Sequence, residues 1–338
     1  MRLARVVLLL PALLLVACGD GRLPQLELDG NAMGTTFKVS VVEAPQSLDE
    51  AALQADIVAT LTRIDQLAST WRDDSELSVF NTDLSIDWII VSAEFCEALS
   101  SALRMSRITN GAFDVTVGPV VNLWGFGPGG QVTEPPASDV LAAAMESVGF
   151  GLIETDCPEG LVRKDDAAMY VDLSGWAKGL AVDEVAELLN GYGLENYLVE
   201  IGGELRARGH NSESANWAIA IEAPSTSERV PQAIIRITDT GVATSGDYRN
   251  FFEYAGQHYS HTIDPRTGRP VTHDLAAVTV LATSTAYADA MATALLVLGP
   301  EAGPALAHDI GLAAYFLVRD DTGIREVTTP EFDRIAAL

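Results

Sequence analysis

The chain has 338 residues, 48% of them hydrophobic, and 47 acidic against 21 basic side chains give a formal net charge of -26 at pH 7. So acidic a surface repels nucleic acid and anionic lipid headgroups, which excludes a DNA- or RNA-binding role. The length and apolar content suffice for one large domain, and no long linker divides the chain.

The first residues are typical of an export signal. Two arginines, Arg2 and Arg5, precede an apolar run over residues 6–17. This run is shorter than the about 20 residues that a membrane-spanning helix needs. It ends in Leu15-Val16-Ala17-Cys18, which resembles a bacterial lipobox. An ordinary signal peptide followed by a chance cysteine is the alternative.

We therefore predict an exported protein that is lipid-anchored at Cys18 on the periplasmic side of the inner membrane, although the sequence does not decide between inner and outer membrane. Loss of the two leader arginines takes the formal charge from -26 to -28. Attachment then depends on acyl chains rather than on a basic patch. The predicted boundaries are a signal peptide over residues 1–17, a tether over 18–24 and a single domain over 25–338.

Patterns typical of strands and helices follow in chain order. Alternation around a glycine-bearing turn predicts a hairpin over residues 26–42, and 3.6-residue spacing predicts an amphipathic helix over 48–68. Several strands follow one another without helices between them, which predicts an α+β fold with largely antiparallel sheets flanked by helices. The further predicted helices are 94–109, 139–148, 177–192 and 285–298. The further predicted strands are 168–173, 197–201, 217–221, 234–237, 258–263, 277–281 and 313–319.

Two cysteines remain after the leader. Cys96 lies on a helical apolar pattern and is interpreted as a core residue. Cys157 could pair with it in an oxidising compartment, and the sequence leaves open whether the two meet. We assign no disulfide and no cysteine chemistry.

Several enzyme classes are excluded by missing motifs: the chain has no G-x-x-x-x-G-K-[ST], H-E-x-x-H, C-x-x-C or G-x-S-x-G. The run 125–130 matches the dinucleotide pattern G-x-G-x-x-G as text. It contains Pro128, follows no clear strand and continues into Pro135-Pro136, which cannot begin a helix. We interpret it as a loop.

Residues 171–183 suggest a phosphate site. A predicted strand ends at Leu173, Ser174 can cap, and a helix begins near Ala177 with Lys178 in its first turn. The helix N-terminus offers free N–H groups and partial positive charge, to which the lysine adds a full charge. A capped helix with a solvated lysine is the alternative interpretation.

A second candidate site lies near the C-terminus. Asp289 and Thr293 are spaced i, i+4, so their oxygens share one helix face flanked by alanines. Hard oxygen ligands of this kind suit Mg²⁺. The alternative is that Thr293 bonds back to the Asp289 carbonyl while Asp289 faces solvent.

Eight segments, in order along the chain, resemble those of the ApbE family, the FAD:protein FMN transferases. The resemblance covers nearly the whole mature length, and the lipobox fits the family's usual cellular location. Eight ordered matches are far more specific than any one of them. The segments begin with Ala32-Met-Gly-Thr35, Ser69-Thr-Trp71, Asn110-Gly-Ala-Phe-Asp114, Asp172-Leu-Ser-Gly175, Gly202-Gly-Glu204, Thr244-Ser-Gly-Asp247, His261-Thr-Ile-Asp264 and Tyr287-Ala-Asp289.

The resemblance implies the fold of that family and a set of site residues. His261 would be catalytic, assisting the acceptor proton or steadying phosphoryl oxygens. Trp176 and Leu180 depart from the commoner family pattern, which places flavin packing in question. The implied FAD contacts are Met33, Trp71, Ala112, Phe113, Asp114, Lys178, His261 and Ile263. The implied metal ligands are Asp289, Thr293 and the backbone carbonyl of Gly175.

The resemblance also implies an activity, which is Mg²⁺-dependent transfer of FMN from FAD to a threonine hydroxyl of another protein with release of AMP. Implied acceptors are membrane subunits of ion-pumping reductases and related electron-transfer complexes. Two alternatives stay open. The protein could be an FAD pyrophosphatase that yields FMN and AMP, or a non-enzymatic FAD-binding lipoprotein.

Overall fold

The computed structural model describes residues 22–225 and 230–336. The predicted signal peptide, the lipidation site Cys18 and the first part of the predicted tether lie outside these residues. Before the first strand begins, the amide of Leu23 donates to the carbonyl of Ser212 at 2.7 Å, so the chain contacts the fold from its first described residues onward.

The described residues form eight helices and seventeen strands. The helices are α1 (Glu50–Ala68), α2 (Glu76–Thr82), α3 (Ala93–Ile108), α4 (Gly118–Leu123), α5 (Ser138–Met145), α6 (Ser174–Gly191), α7 (Thr285–Asp309) and α8 (Pro330–Ala336). The strands are β1 (Gln25–Ala32), β2 (Thr35–Val42), β3 (Ile89–Ile90), β4 (Ile153–Asp156), β5 (Leu161–Lys164), β6 (Tyr197–Ile201), β7 (Glu204–Arg208), β8 (Trp217–Glu222), β9 (Pro231–Ile237), β10 (Thr240–Gly246), β11 (Phe251–Tyr254), β12 (Gln257–Ser260), β13 (Ile263–Asp264), β14 (Arg269–Pro270), β15 (Leu275–Ala282), β16 (Ala313–Asp320) and β17 (Gly323–Thr328).

One large sheet organises the fold. Its eight strands lie in the order β1-β2-β6-β7-β10-β15-β16-β17, and every neighbouring pair is antiparallel. Smaller sheets form from β3-β5-β4, β8-β9, β11-β12 and β13-β14. The predicted α+β class with antiparallel sheets is confirmed.

Side chains alternate between the two faces of the large sheet, so each face builds its own core. On one face, Val39 and Val199 pack with α1, α3, α6 and α7, and Val280 and Phe316 pack against the other side of α7. On the opposite face, Leu317 and its neighbours are covered by the β8–β9 hairpin and α8. The molecule is therefore a helical layer, a sheet and a thinner outer layer.

Local signals explain the two longest helices. In α1, apolar residues at helical spacing are buried, and the Asp49 side chain accepts from the amide of Ala52 at 3.0 Å as an N-cap. In α7, Gly299 has non-helical angles (φ 83°, ψ -174°) and Pro300 follows it. The first segment of α7 therefore ends where the predicted helix 285–298 does.

Helix α7 is long and apolar enough to cross a membrane by length and composition, with 56% of its most apolar window buried. Its side chains pack on both sides inside the helical layer, with Ala290 and Ala294 in one core and Met291 and Leu295 in another. We therefore interpret α7 as a core helix.

The predicted strand 168–173 is wrong, because this segment has no regular secondary structure. A buried side chain replaces the strand partner. The amide group of Asn81 in α2 donates to the carbonyl of Val171 and accepts from its N–H, both at 2.8 Å. The predicted strand 258–263 is likewise interrupted, since β12 ends at Ser260 and β13 begins at Ile263.

Cys96 and Cys157 form a disulfide with Cα atoms 5.4 Å apart, so the assignment of no disulfide is wrong. Cys96 does lie on the buried face of α3. Cys157 begins the short turn between β4 and β5. Their sequence separation of 61 hides this proximity from the sequence, and the bond joins the three-stranded sheet to the helical layer.

Candidate active site

The candidate site lies where α6 and α7 cross. A Cβ atom on Gly179 would lie 2.5 Å from the carbonyl oxygen of Thr285, so the helices meet at this glycine. The carboxylate of Asp183 in α6 accepts from the amides of Thr285 and Ala286 at 2.9 and 3.1 Å. It thus binds the N-terminus of α7 and fixes the relative position of the two helices.

A charged cluster of the half-buried Lys178 and the buried Glu204 and Asp289 occupies this crossing. Lys178 Nζ donates to Glu204 Oε1 at 2.7 Å. Asp289 Oδ2 accepts from the amide of Gly179 at 3.1 Å. In a regular helix that amide would bond the carbonyl of Gly175, four residues earlier. Asp289 is only 3% exposed, which contradicts the alternative in which it faces solvent.

The cluster changes the protonation equilibria of its members. Burial opposes the charge of Lys178, but the carboxylates of Asp289 and Glu204 outweigh it and raise the lysine pKa. Burial raises the pKa of Glu204 to about 7, against the opposing effect of Lys178. Burial likewise raises the pKa of Asp289, which Lys178 and the Gly179 amide counteract. The site holds two buried carboxyl groups and one cation, Lys178, whose side chain is 34% exposed.

Thr293 and Gly175 lie beside this cluster. Thr293 Oγ1 is 3.0 Å from Ser245 Oγ, rather than bonded to the Asp289 carbonyl as in the alternative. A Cβ on Gly175 would lie 3.3 Å from Thr293 Oγ1 and 3.2 Å from the ring of Phe113. Thr293 therefore lies against the Gly175 turn of α6, and Asp289, one helical turn earlier in α7, lies against Gly179.

The predicted capping role of Ser174 is wrong. Leu173 occupies the N-cap position and no side chain caps the helix. The carboxylate of Asp172 accepts from the amide of Ser174 at 2.8 Å. Gly175 has non-helical angles (φ -84°, ψ 16°), so regular helix begins beyond it and Lys178 lies in the first regular turn.

The convergent oxygens fit a small hard cation. Asp289 supplies a buried carboxylate and Thr293 a hydroxyl, and the backbone of Gly175 passes within contact of that hydroxyl. Across residues 22–225 and 230–336, no group of three or more His, Cys, Asp and Glu side chains could hold a metal. A donor set of one carboxylate, one hydroxyl and one carbonyl suits Mg²⁺, which retains several waters and substrate oxygens.

Burial lowers the pKa of His261, the hydrogen bond to Asn250 opposes this shift, and the charge of Lys178 lowers the pKa further. Its Nδ1 is 3.0 Å from the carbonyl oxygen of Asn250, and its ring meets Phe126 edge-on with centroids 6.2 Å apart. Ile263, two residues later, is buried with Trp124 in a small aromatic core. Phe126 lies in the glycine-rich run 125–130, which is an irregular loop as predicted.

Met33 forms the tight turn of the β1–β2 hairpin with a left-handed φ of 51°. The next residues of that turn approach the cluster, because a Cβ on Gly202 would lie 2.9 Å from Thr35 and 3.4 Å from Lys178 Cδ. Trp71 is 67% exposed, and in the described chain its indole makes no ring or cation–π contact. The turn therefore borders the cluster, whereas Trp71 stands free at the surface.

Ala112 and Asp114 flank Phe113 in the turn after α3, and both are buried. Asp114 Oδ1 accepts from the amide and hydroxyl of Thr116 at 2.8 and 2.6 Å, and Oδ2 accepts from the amide of Phe150 at 3.0 Å. Burial raises the pKa of Asp114 against these bonds. The carboxylate holds this turn in place, and its predicted contact with FAD stays a prediction.

Two residues at this site were absent from the predicted set. Glu204 and Ser245 lie in the quoted segments Gly202-Gly-Glu204 and Thr244-Ser-Gly-Asp247, but nothing local marks either as a partner of α6 or α7. A glutamate at the start of a strand is ordinary. Its position after two left-handed glycines, with φ 61° and 108°, was the available signal, because such turns bring backbone close to other groups.

The sequence is similar to those of known transferases over nearly its whole length. An FAD:protein FMN transferase from Vibrio cholerae is 43% identical over 324 residues, 96% of this chain and 96% of the relative. The FAD:protein FMN transferase of Escherichia coli is 38% identical over 339 residues, 97% of this chain and 96% of the relative.

Solved structures that are similar to this chain are also flavin transferases. The flavin transferase ApbE from Vibrio cholerae superposes with a TM-score of 0.86 at 41% identity, covering 93% of this chain and 99% of that one. The apo flavinyl transferase ApbE of Pseudomonas stutzeri gives 0.86 at 38% identity, covering 94% and 98%. A family model described as the ApbE family matches residues 33–316. The chain belongs to the ApbE family.

Proposed function

We propose that this protein transfers FMN from FAD to a threonine hydroxyl of a target protein, with Mg²⁺ as cofactor and AMP as the leaving group. Its curated relatives are named FAD:protein FMN transferases, and the chain is a transferase that uses FAD. The proposal adds the metal, the acceptor residue and the second product. The observation that carries it is the contact of α6 with α7, where Asp289 bonds the amide after Lys178 and Thr293 lies beside Gly175.

In the proposed step the threonine oxygen attacks the FMN phosphorus of FAD. The bond from that phosphorus to the bridging oxygen breaks, and AMP leaves with the electron pair. Lys178 and the N-terminal end of α6 stabilise negative charge on the phosphates, since both present positive charge in a buried site. These groups act by position and electrostatics, as is usual in phosphoryl transfer.

His261 is suited to accept the hydroxyl proton. Its Nδ1 faces the carbonyl oxygen of Asn250 at 3.0 Å. A carbonyl can only accept, so Nδ1 carries the hydrogen in the neutral ring and Nε2 has a free lone pair. Burial and then Lys178 lower the His261 pKa, which keeps the ring neutral near pH 7. A neutral imidazole with a free nitrogen is a competent general base.

Asp289, Thr293 and the carbonyl of Gly175 would hold the metal. Mg²⁺ supplies charge compensation for the pyrophosphate and the leaving phosphate when bound. We further propose that the protein is exported and anchored by lipid at Cys18 on the periplasmic side of the inner membrane. Its acceptors would be membrane subunits of ion-pumping or electron-transfer reductases, and the anchor would hold the enzyme near them.

The test uses the chain from Gly19 with FAD, Mg²⁺ and a threonine-bearing acceptor peptide, analysed by mass spectrometry. Two variants of α7 are compared. Asp289→Asn removes the buried carboxylate, whereas Asp309→Asn removes one that is 79% exposed at the far end of the same helix. We expect an FMN-phosphate adduct on threonine for the wild type and for Asp309→Asn, and loss of the adduct for Asp289→Asn.

Other outcomes identify the rival functions. Metal-dependent release of AMP and FMN without an adduct, repeated with a full-length acceptor protein, would identify an FAD pyrophosphatase. Unchanged FAD under the same conditions would identify the protein as a non-enzymatic FAD-binding lipoprotein. Equal adduct from wild type and Asp289→Asn would remove Asp289 from the metal site.

A further inference from the structure

Glu204 is buried, and only one of its two carboxylate oxygens has a hydrogen-bond partner. It is 4% exposed and begins β7 directly after the Gly202–Gly203 turn. Its Oε1 accepts from Lys178 Nζ at 2.7 Å, while Oε2 is buried without a hydrogen-bond partner. A buried carboxylate is costly unless it is paired, so the ion pair with Lys178 is the interaction that holds this side chain in place.

Lys178 lies between two carboxylates but bonds to one. Both Asp289 and Glu204 act on its charge, yet the ion pair within 4.0 Å is formed with Glu204 and none is formed with Asp289. Asp289 is held instead by the neutral amide of Gly179 at 3.1 Å. The negative charge of Asp289 is therefore not neutralised by direct contact.

Removal of Glu204 would change this balance. The ammonium group of Lys178, whose side chain is half-buried, would lose its bonded partner, and breaking such a pair leaves an uncompensated charge. The lysine stem is flexible and has several rotatable bonds. The other carboxylate that acts on its charge is Asp289, and a direct ion pair with it would occupy the oxygens proposed as metal ligands.

We propose that Glu204 is a positioning residue that holds Lys178 away from Asp289 and so keeps the Asp289 carboxylate free for a divalent cation. The inference deepens the proposed function and rests on it for the identity of the cation site. Glu204 itself touches neither the metal nor the reacting atoms. It acts through the placement of the Lys178 ammonium group.

The test measures binding of Mn²⁺ alone to the chain from Gly19 by electron paramagnetic resonance. Glu204→Gln should weaken Mn²⁺ binding by roughly tenfold or more, since it lets Lys178 neutralise Asp289. Lys178→Met should bind Mn²⁺ at least as tightly as the wild type. The double variant Glu204→Gln/Lys178→Met should recover affinity close to the wild type, because the competing cation is gone.

Recovery in the double variant is the decisive result, because a merely structural role for Glu204 would give no recovery when a second residue is lost. The double variant also leaves no ammonium group without a bonded partner, so it keeps the test valid if Glu204→Gln alone folds poorly by circular dichroism. Loss of affinity in the single variant that persists in the folded double variant would overturn the inference.

A crystal structure of Glu204→Gln separates this inference from the proposed function. We expect Lys178 Nζ within ion-pair distance of Asp289, and a lysine that still faces position 204 would overturn the inference. If the wild type binds no Mn²⁺ while Lys178 does move to Asp289 in the variant, the metal-dependent function fails and the positioning role stands.

Discussion

Reduction of the Cys96–Cys157 disulfide should lower the thermal stability of the fold without removing its activity. The bond closes a loop with a sequence separation of 61 residues, and the chain-entropy relation gives about 4 kcal/mol for a loop of that length. An unfolding entropy of about 2.1 cal/mol/K per residue over the described chain then corresponds to a fall in Tm of roughly 6 °C. Neither cysteine contacts Lys178, Asp289 or Thr293, so we expect turnover at 25 °C to be retained.

The assay is differential scanning calorimetry of the chain from Gly19 with and without a phosphine reductant, with thiol counting by mass spectrometry after alkylation. The Cys96→Ala/Cys157→Ala variant is the control, because its Tm should not respond to the reductant. An unchanged Tm in wild-type protein whose two thiols are shown to be free would refute the entropic reasoning. Loss of turnover on reduction would show that the bond also supports the site.

Three further predictions concern single side chains. His261→Ala should lower turnover by about 100-fold while FAD still binds, as measured by AMP release and flavin fluorescence, and intact turnover would remove His261 from the chemistry. Asn81→Ala removes both buried hydrogen bonds to Val171 and should cost roughly 2 kcal/mol in urea unfolding, whereas Thr82→Ala on the exposed face should cost little. Burial raises the pKa of Glu204 from its ordinary 4.5 to about 7, so the folded state holds a proton that the unfolded state releases between these values. The stability of the wild type relative to Glu204→Gln should therefore be greatest below about pH 4.5 and fall as pH rises to about 7. A flat difference in urea titrations across that window would contradict the raised pKa.

Local patterns predicted much of the fold. Apolar spacing in residues 48–68 predicted α1 (Glu50–Ala68), and alternation with a glycine turn predicted the β1–β2 hairpin. Gly299-Pro300 marks the end of the first segment of α7. These features depend on residues within one or two turns of each other, and such residues are adjacent in the sequence as well as in space.

The same patterns misled where a distant residue supplied the partner. Residues 168–173 have strand-like composition, but Asn81 takes the hydrogen bonds that a neighbouring strand would have made. Cys96 has the local pattern of a core residue and is buried in the core, but its disulfide depends on the fold bringing Cys157 to it. The capping position before α6 belongs to Leu173 rather than Ser174, since Asp172 takes the Ser174 amide.

The family resemblance and the residue types by themselves determined the reaction class, the acidic helix face at Asp289 and Thr293, and the cationic helix end at Lys178. Only the tertiary structure decided that these two features meet. It also decided that Glu204, the first residue of β7, accepts a hydrogen bond from Lys178. The physical reason is that the cluster joins residues that are distant in the sequence. Lys178 in α6 is 26 residues from Glu204 in β7, and Gly179 in α6 is 110 residues from Asp289 in α7. Burial of opposite charges together is set by packing of the whole core, and no local periodicity records it.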